Sequence, residues 1–196
     1  MNRTILCLML AAAAAQAAPA KKAKDPVVVI TTSAGVFKVQ LDAAHAPLST
    51  ANFLQYVKEK HYDGTVFHRV IKGFMVQGGG FDGKLHQIGA GHPAIKNEAG
   101  NGLKNGPGTL AMARTNVVDS GTDQFFINTA NNTFLDHRGE SPNDFGYAVF
   151  GKVIAGMDVV RVIENVPTQN KPSADGLGLG DVPVKDVIIK TARLAK

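Results

Sequence analysis

Tryptophan is absent from this chain, and cysteine occurs once, as Cys7. Cys7 lies inside an apolar N-terminal run, so the rest of the chain carries no thiol. It can form no disulfide, and it lacks the Cys/His sets of a structural zinc site. The six histidines stand apart at positions 45, 61, 68, 86, 92 and 137, and none belongs to an H-E-x-x-H pair, so no metal is expected. There is no G-x-S-x-G nucleophile elbow. Gly78-Gly79-Gly80 leads into Phe81-Asp82-Gly83-Lys84 rather than G-K-[ST], which excludes a phosphate loop. No apolar run reaches the ~20 residues that span a bilayer. The net charge of +5 is modest, and only Lys21, Lys22 and Lys24 are dense. Without a basic stripe interleaved with aromatics, nucleic acid is not an expected partner.

What is present begins with a segment unlike the remainder. Asn2-Arg3 gives a short positive start, and residues 5–15 are apolar. Ala15-Gln16-Ala17 and Ala18-Pro19-Ala20 both fit an A-x-A cleavage pattern. This predicts a secretory signal peptide over residues 1–20, an exposed leader over 21–26 and one folded domain over 27–194. A lipid anchor would need its cysteine at the end of the apolar run, not within it. The expectation is a soluble exported product, free of the membrane after cleavage.

Residues 27–31 and 36–41 read as strands joined at Ser33-Ala34-Gly35. Over 47–60 the period changes: Thr50, Phe53, Leu54 and Val57 fall on one helical face, and Pro47 suits a first turn. Residues 67–79, "FHRVIKGFMVQGG", read as two strands about a Lys72-Gly73 turn. The glycine-rich stretch 78–108 reads as a long loop. Strands follow at 109–113, 124–129, 147–153 and 187–192, with a short irregular piece at Phe134-Leu135-Asp136. A second helix is expected around Met157, Val160 and Ile163. Residues 167–183 read as a Pro/Gly-rich loop. Short strands with few helices predict an all-β barrel or sandwich.

Three long polar side chains interrupt this apolar pattern: Arg69, Gln77 and Gln124. On composition alone Phe74, Met75, Phe126, Phe134 and Leu135 are equally well explained as core. A core does not recruit three long polar groups from separate strands unless they meet in a cavity. An apolar pocket with a few convergent polar groups is the usual form of a ligand site.

The ordered set "FHRVIKGFMVQGG", "KNE", "GTLAMAR", "DQFFIN", "FLD" and "GYAVFGKV" resembles the cyclophilins, in particular their exported bacterial branch. The resemblance runs over residues 27–194. It implies an all-β fold, a closed eight-stranded antiparallel β-barrel capped by two α-helices. It implies peptidyl-prolyl cis–trans isomerisation without a cofactor, acting on proline-containing polypeptides, and a periplasmic location. It assigns the catalytic role to Arg69, and the proline pocket to Phe74, Met75, Phe126 and Leu135. Gln77 and Gln124 take the backbone-binding and second glutamine positions, with Gln77 also suited to hold Arg69. Ala113 and Arg114 take the loop that anchors the substrate chain. Phe134 stands where eukaryotic members carry tryptophan, and Tyr147 where they carry a pocket histidine. Phe134 has no N–H to offer, so cyclosporin binding is expected to be weak. A closed barrel has no free strand edge, so a monomer is expected. The alternative of a different class is a non-catalytic proline-peptide-binding or chaperone module on the same fold.

Overall fold

The computed structural model describes residues 25–195. The expected signal peptide and leader residues 21–24 lie outside the described residues. β1 (Val27–Thr32) and β2 (Gly35–Leu41) form the first hairpin, with Val28 opposite Val39 and Ile30 opposite Phe37. Strict alternation sends Val28, Ile30, Phe37, Val39 and Leu41 inward and their neighbours outward. Thr32 Oγ1 closes the turn, donating to Gly35 O at 2.8 Å and accepting from Ala34 N–H at 3.0 Å.

α1 (Pro47–Lys58) starts with proline as expected. Its N-cap, Ala46, offers no side-chain acceptor. The Glu98 carboxylate, from the glycine-rich stretch, takes that place. It accepts Leu48 N–H at 2.9 Å, and Ser49 N–H and Oγ–H at 2.7 Å each. Free N–H groups and the positive dipole end of the helix both favour a carboxylate there.

β3 (Thr65–Ile71) and β4 (Met75–Asp82) turn at Gly73, whose φ of +72° is in the region glycine favours. β5 (Thr109–Met112), β6 (Phe125–Asn128), β7 (Val149–Ala155) and β10 (Ile189–Leu194) complete an eight-stranded antiparallel sheet in the order β10-β1-β2-β7-β5-β6-β4-β3. The sheet curls into a nearly closed barrel. Its two end strands meet through Phe67 N–H to Val187 O at 2.9 Å, Gly64 N–H to Ile189 O at 2.8 Å, and a bridge between Val66 and Ile188. α2 (Met157–Glu164) packs on β2, β3 and β4, and α1 on β7 and β10. Gly156 joins β7 to α2 at φ +78°; a Cβ there would sit 2.5 Å from Val36 O. The barrel is filled by aromatic rings, with Phe53 5.1 Å from Tyr62 and 5.4 Å from both Phe125 and Phe150.

Two segments read as loop are strand. Residues 80–82 extend β4 beyond Gly79. Within 167–183, β8 (Thr168–Pro172) and β9 (Gly178–Pro183) form a separate hairpin. Every residue of β8 is exposed, so it has no apolar alternation to read. β9 is held instead by buried Val182, packed with Val66, Phe81 and Leu85 beside β3. β7 begins two residues later than expected, since Tyr147 N–H donates to Leu135 O rather than to the sheet. Among the described residues no helix is long and apolar enough to cross a membrane.

Candidate functional site

The alternation that fills the barrel also builds a second apolar surface outside it. On β4, Val76 points into the core and Met75 and Gln77 point away. On β6, Phe125 and Ile127 point in and Phe126 points out; on β5, Leu110 and Met112 point in and Ala111 out. On β3 a register shift between Phe67 and Arg69 breaks the period, which brings Arg69 opposite Gln77. The outward residues make a cleft of about 120 Å³ lined by Arg69, Phe74, Met75, Gln77, Ala113, Arg114, Phe126, Leu135 and Tyr147. Apolar cavities of roughly 150 Å³ take a benzene-sized ring, so the cleft is on the scale of one small ring.

Nine of the eleven residues selected from the sequence therefore share one cleft. The other two sit behind or beside it. Gln124 does not line the cleft, but its Oε1 accepts the Gln77 Nε2 hydrogen at 3.1 Å. Phe134 is 58% exposed and stacks on Phe74 at 5.5 Å, extending the aromatic surface beyond the rim. Tyr147 meets Phe126 edge-on at 5.7 Å. Arg114 lies over the Tyr147 ring at 4.7 Å.

Gln77 does not hold Arg69. Its amide turns to Gln124, and Arg69 Nε instead faces the Asp181 carboxylate at 3.8 Å. Both side chains are near 40% exposed, at 42% and 44%, so Arg69 is a half-solvated charge rather than a buried one. Asp181 lies on β9 with φ +57°, a conformation uncommon for a residue other than glycine. Nothing local in the sequence marks it, since the hairpin that carries it reads as loop.

Beneath the cleft lies a ladder of buried amides that the sequence reading also missed. Asn132 Nδ2 donates to Asn128 Oδ1 at 2.7 Å and to Phe74 O at 2.9 Å. Asn128 Nδ2 donates to Asn105 Oδ1 at 3.1 Å and Thr109 Oγ1 at 2.9 Å. Asn105 Nδ2 donates to Leu135 O at 3.1 Å and Tyr147 O at 3.3 Å. Three cleft-lining residues are thus tied by their carbonyls to one network. The available signal was Asn128 itself, an amide directly after Phe125-Phe126-Ile127. From the other side, the buried Glu164 of α2 accepts Gly73 N–H at 2.8 Å and fixes the turn that leads into Phe74. His68, beside Arg69 in sequence, is 4% exposed. Burial, reinforced by the Arg69 charge, pushes its pKa down to about 4, so the imidazole is neutral at pH 7.

A nearly closed antiparallel barrel of eight strands, with an apolar cleft on its outer face and a guanidinium at the cleft margin, defines a cyclophilin-like protein. Residues 27–194 match the family model described as cyclophilin type peptidyl-prolyl cis-trans isomerase/CLD. The chain belongs to that family, and it is a peptidyl-prolyl cis–trans isomerase of the cyclophilin type. It is 51% identical over 169 residues to peptidyl-prolyl cis-trans isomerase A of Dickeya dadantii, covering 86% of this chain and 84% of that one. It is 46% identical over 170 residues to peptidyl-prolyl cis-trans isomerase B of Escherichia coli, covering 87% of this chain and all of that one, 100%. Among solved structures it is similar to a cyclophilin type isomerase of Cryptosporidium parvum, with a TM-score of 0.70 and 26% identity over 88% of this chain and 98% of that one. A crystal of a Cryptosporidium parvum cyclophilin type isomerase in the presence of the dipeptide Ala-Pro gives the same TM-score of 0.70 at 28% identity, over 87% of this chain and 99% of that one.

Proposed function

We propose that this isomerase accelerates rotation about X–Pro bonds of exported polypeptides, using the cleft as its active site and Arg69 as its catalytic residue. One observation carries the reading: Arg69 and Gln77 are cross-strand partners on a cleft whose other walls include Phe74, Met75, Phe126 and Leu135.

The uncatalysed reaction is slow because the amide has partial double-bond character, with a barrier of about 18–20 kcal/mol. At the twisted transition state conjugation is lost, and the proline nitrogen becomes pyramidal and gains a lone pair. A donor aimed at that nitrogen binds the twisted state better than either planar form, which is the requirement for catalysis. Arg69 supplies it: the guanidinium is always protonated and its N–H groups are fixed in a plane. Phe74, Met75, Phe126 and Leu135 grip the proline ring, so the chain on the other side of the bond rotates. Gln77, backed by Gln124, binds a substrate carbonyl, and Ala113 and Arg114 hold the chain along the rim. No acid, base or nucleophile is required. A barrier lowered by about 5–7 kcal/mol accelerates the exchange roughly 10⁴–10⁵-fold.

The exported role rests on the residue pattern of 1–20, and export predicts a periplasmic product whose N-terminus follows Ala17 or Ala20. The meeting of β3 with β10 joins the two end strands of the barrel, which supports a monomer. Cyclosporin binding is weak in this reading, since Phe134 has no N–H to donate.

The test is the cis-to-trans rate of a short Ala-Pro peptide with the purified protein and with Arg69→Ala. Loss of one preorganised transition-state donor costs about 10²–10³-fold, with the melting temperature little changed. Acceleration that survives the substitution removes Arg69 from the mechanism. No acceleration by folded wild type leaves a module that binds proline peptides without turning them over.

A further inference from the structure

We infer that Arg114 makes this cleft select X–Pro bonds flanked by an acidic side chain over those flanked by a basic one. The inference rests on the cleft being the substrate site.

The two cations that line the cleft differ in what surrounds them. Arg69 faces Asp181 at 3.8 Å, so its margin of the cleft is close to neutral. Arg114 donates to backbone carbonyls: Nε to Gly146 O at 3.0 Å, and its two terminal nitrogens to Thr115 O and Pro142 O at 2.9 Å each. Among the described residues no carboxylate pairs with it. The acids on the neighbouring 137–146 segment are engaged elsewhere, Asp144 with Arg138 at 3.1 Å and Glu140 toward His137 at 3.7 Å. Arg114 is therefore the uncompensated charge of the cleft.

It is also held still. Three carbonyl hydrogen bonds and the Tyr147 ring at 4.7 Å fix the guanidinium plane. A guanidinium has five N–H groups, so donors remain for a ligand after the three carbonyls are served. A fixed fork with spare donors suits a carboxylate. The second cation on that side is Lys96, which shares with Arg114 the lining of a small adjoining hollow. Arg69 cannot serve the same function. Arg69 lies on β3 and Arg114 two residues past the end of β5, with β4 and β6 between those strands in the sheet, so the two arginines lie at opposite margins of the cleft. Asp181 faces Arg69 and not Arg114.

A unit charge about 7 Å from the guanidinium in a water-like dielectric changes affinity roughly three-fold. Exchanging Glu for Lys reverses the sign, so the two substrates differ by about five- to ten-fold in kcat/KM. Direct contact with the free donors would raise this further.

The experiment uses acetylated, amidated peptides with Ala, Glu or Lys immediately before the proline, and a second set with the change immediately after it. Each is followed by NMR exchange against its own uncatalysed rate, at about 10 mM and about 1 M salt, where the screening lengths are roughly 30 Å and 3 Å. The expected result is Glu over Lys by five- to ten-fold at low salt in at least one set. The ratio falls toward one at high salt and in Arg114→Gln, and survives in Arg114→Lys. The ratio is the readout, whatever happens to the rate on the Ala peptide. Equal rates for Glu and Lys, or a preference that persists in Arg114→Gln, overturn the inference and leave the cleft as the active site. No acceleration of the Ala peptide by wild type overturns the reading of the cleft, and the inference with it.

Discussion

Asn128 is the residue through which stability and the cleft are most directly joined. It is fully buried, at 0% exposure, and stands in the middle of the amide ladder. Asn128→Ala removes the acceptor of Asn132 Nδ2 and the donor to Asn105 Oδ1. Asn132 keeps one bond, to Phe74 O, while Asn105 Oδ1 loses the partner shown for it. Each buried polar group left unpaired costs about 1–3 kcal/mol, and the void left by the amide adds about 1 kcal/mol. The expected loss is about 3–5 kcal/mol in urea unfolding, a fall of roughly 10 °C in melting temperature for a domain of this size. The functional effect is indirect: Asn132 and Asn105 still hold the Phe74, Leu135 and Tyr147 carbonyls but are no longer linked to each other through Asn128, so KM for an Ala-Pro peptide rises at temperatures where the variant is fully folded. Asn105→Ala alone should cost a similar amount. The double variant should cost less than the sum by at least about 1 kcal/mol, because the two share one hydrogen bond. A loss below about 1 kcal/mol for Asn128→Ala, or strict additivity with Asn105→Ala, refutes the argument that this ladder supports the cleft.

Two further predictions concern the same neighbourhood. The pKa of His68 falls from about 6.5 unfolded to about 4 folded, so between those values the unfolded chain binds a proton that the native protein does not. Stability therefore declines as pH drops through that window, by about 3 kcal/mol in total, and is unaffected by this group above it. His68→Phe, set against Phe81 whose ring lies 4.6 Å away, should flatten the decline of the urea midpoint between pH 6.5 and 4.5; matching slopes for variant and wild type would disprove the assignment. At Gly80 an added Cβ collides with the Gln124 side chain from its amide back to Cγ, so the whole side chain must leave its present rotamer. Gly80→Ala should thus cost about 1 kcal/mol of stability while breaking the Gln77–Gln124 bond, lowering kcat/KM by about two- to ten-fold where the variant is fully folded; an unaltered kcat/KM would show that Gln124 does not support the site.

Most of the barrel strands were legible from alternation along the chain, whereas the cleft lining was legible only through the ordered motifs that resemble the cyclophilins, since on composition alone Phe74, Met75, Phe126 and Leu135 read equally well as core. A period of two puts Val76 and Met75 on opposite faces, and the same rule separates Phe125 from Phe126 and Leu110 from Ala111, though it does not say which face is the core. Gln77, a long polar residue among apolar outward ones, then marks that face as something other than a second core. Pro47 and the 3.6-residue spacing of Phe53, Leu54 and Val57 likewise announce α1. These signals are local, carried by residues a few positions apart, because backbone geometry repeats over that range.

What the sequence did not disclose lies between segments far apart in the chain. Glu98 caps a helix 50 residues before it. Asp181 reaches Arg69 from a hairpin whose exposed β8 carries no pattern at all. A bulge of one residue turns Arg69 toward Gln77, and Gln77 turns to Gln124 rather than to Arg69. Each depends on how strands register and how the barrel closes, and closure is a property of the whole packed sheet. By itself the sequence determined where strands and helices form and which neighbours alternate on opposite faces; only the tertiary structure decided which face fills the barrel and which of the outward residues are neighbours, because their distances are set by packing and not by the chain that links them.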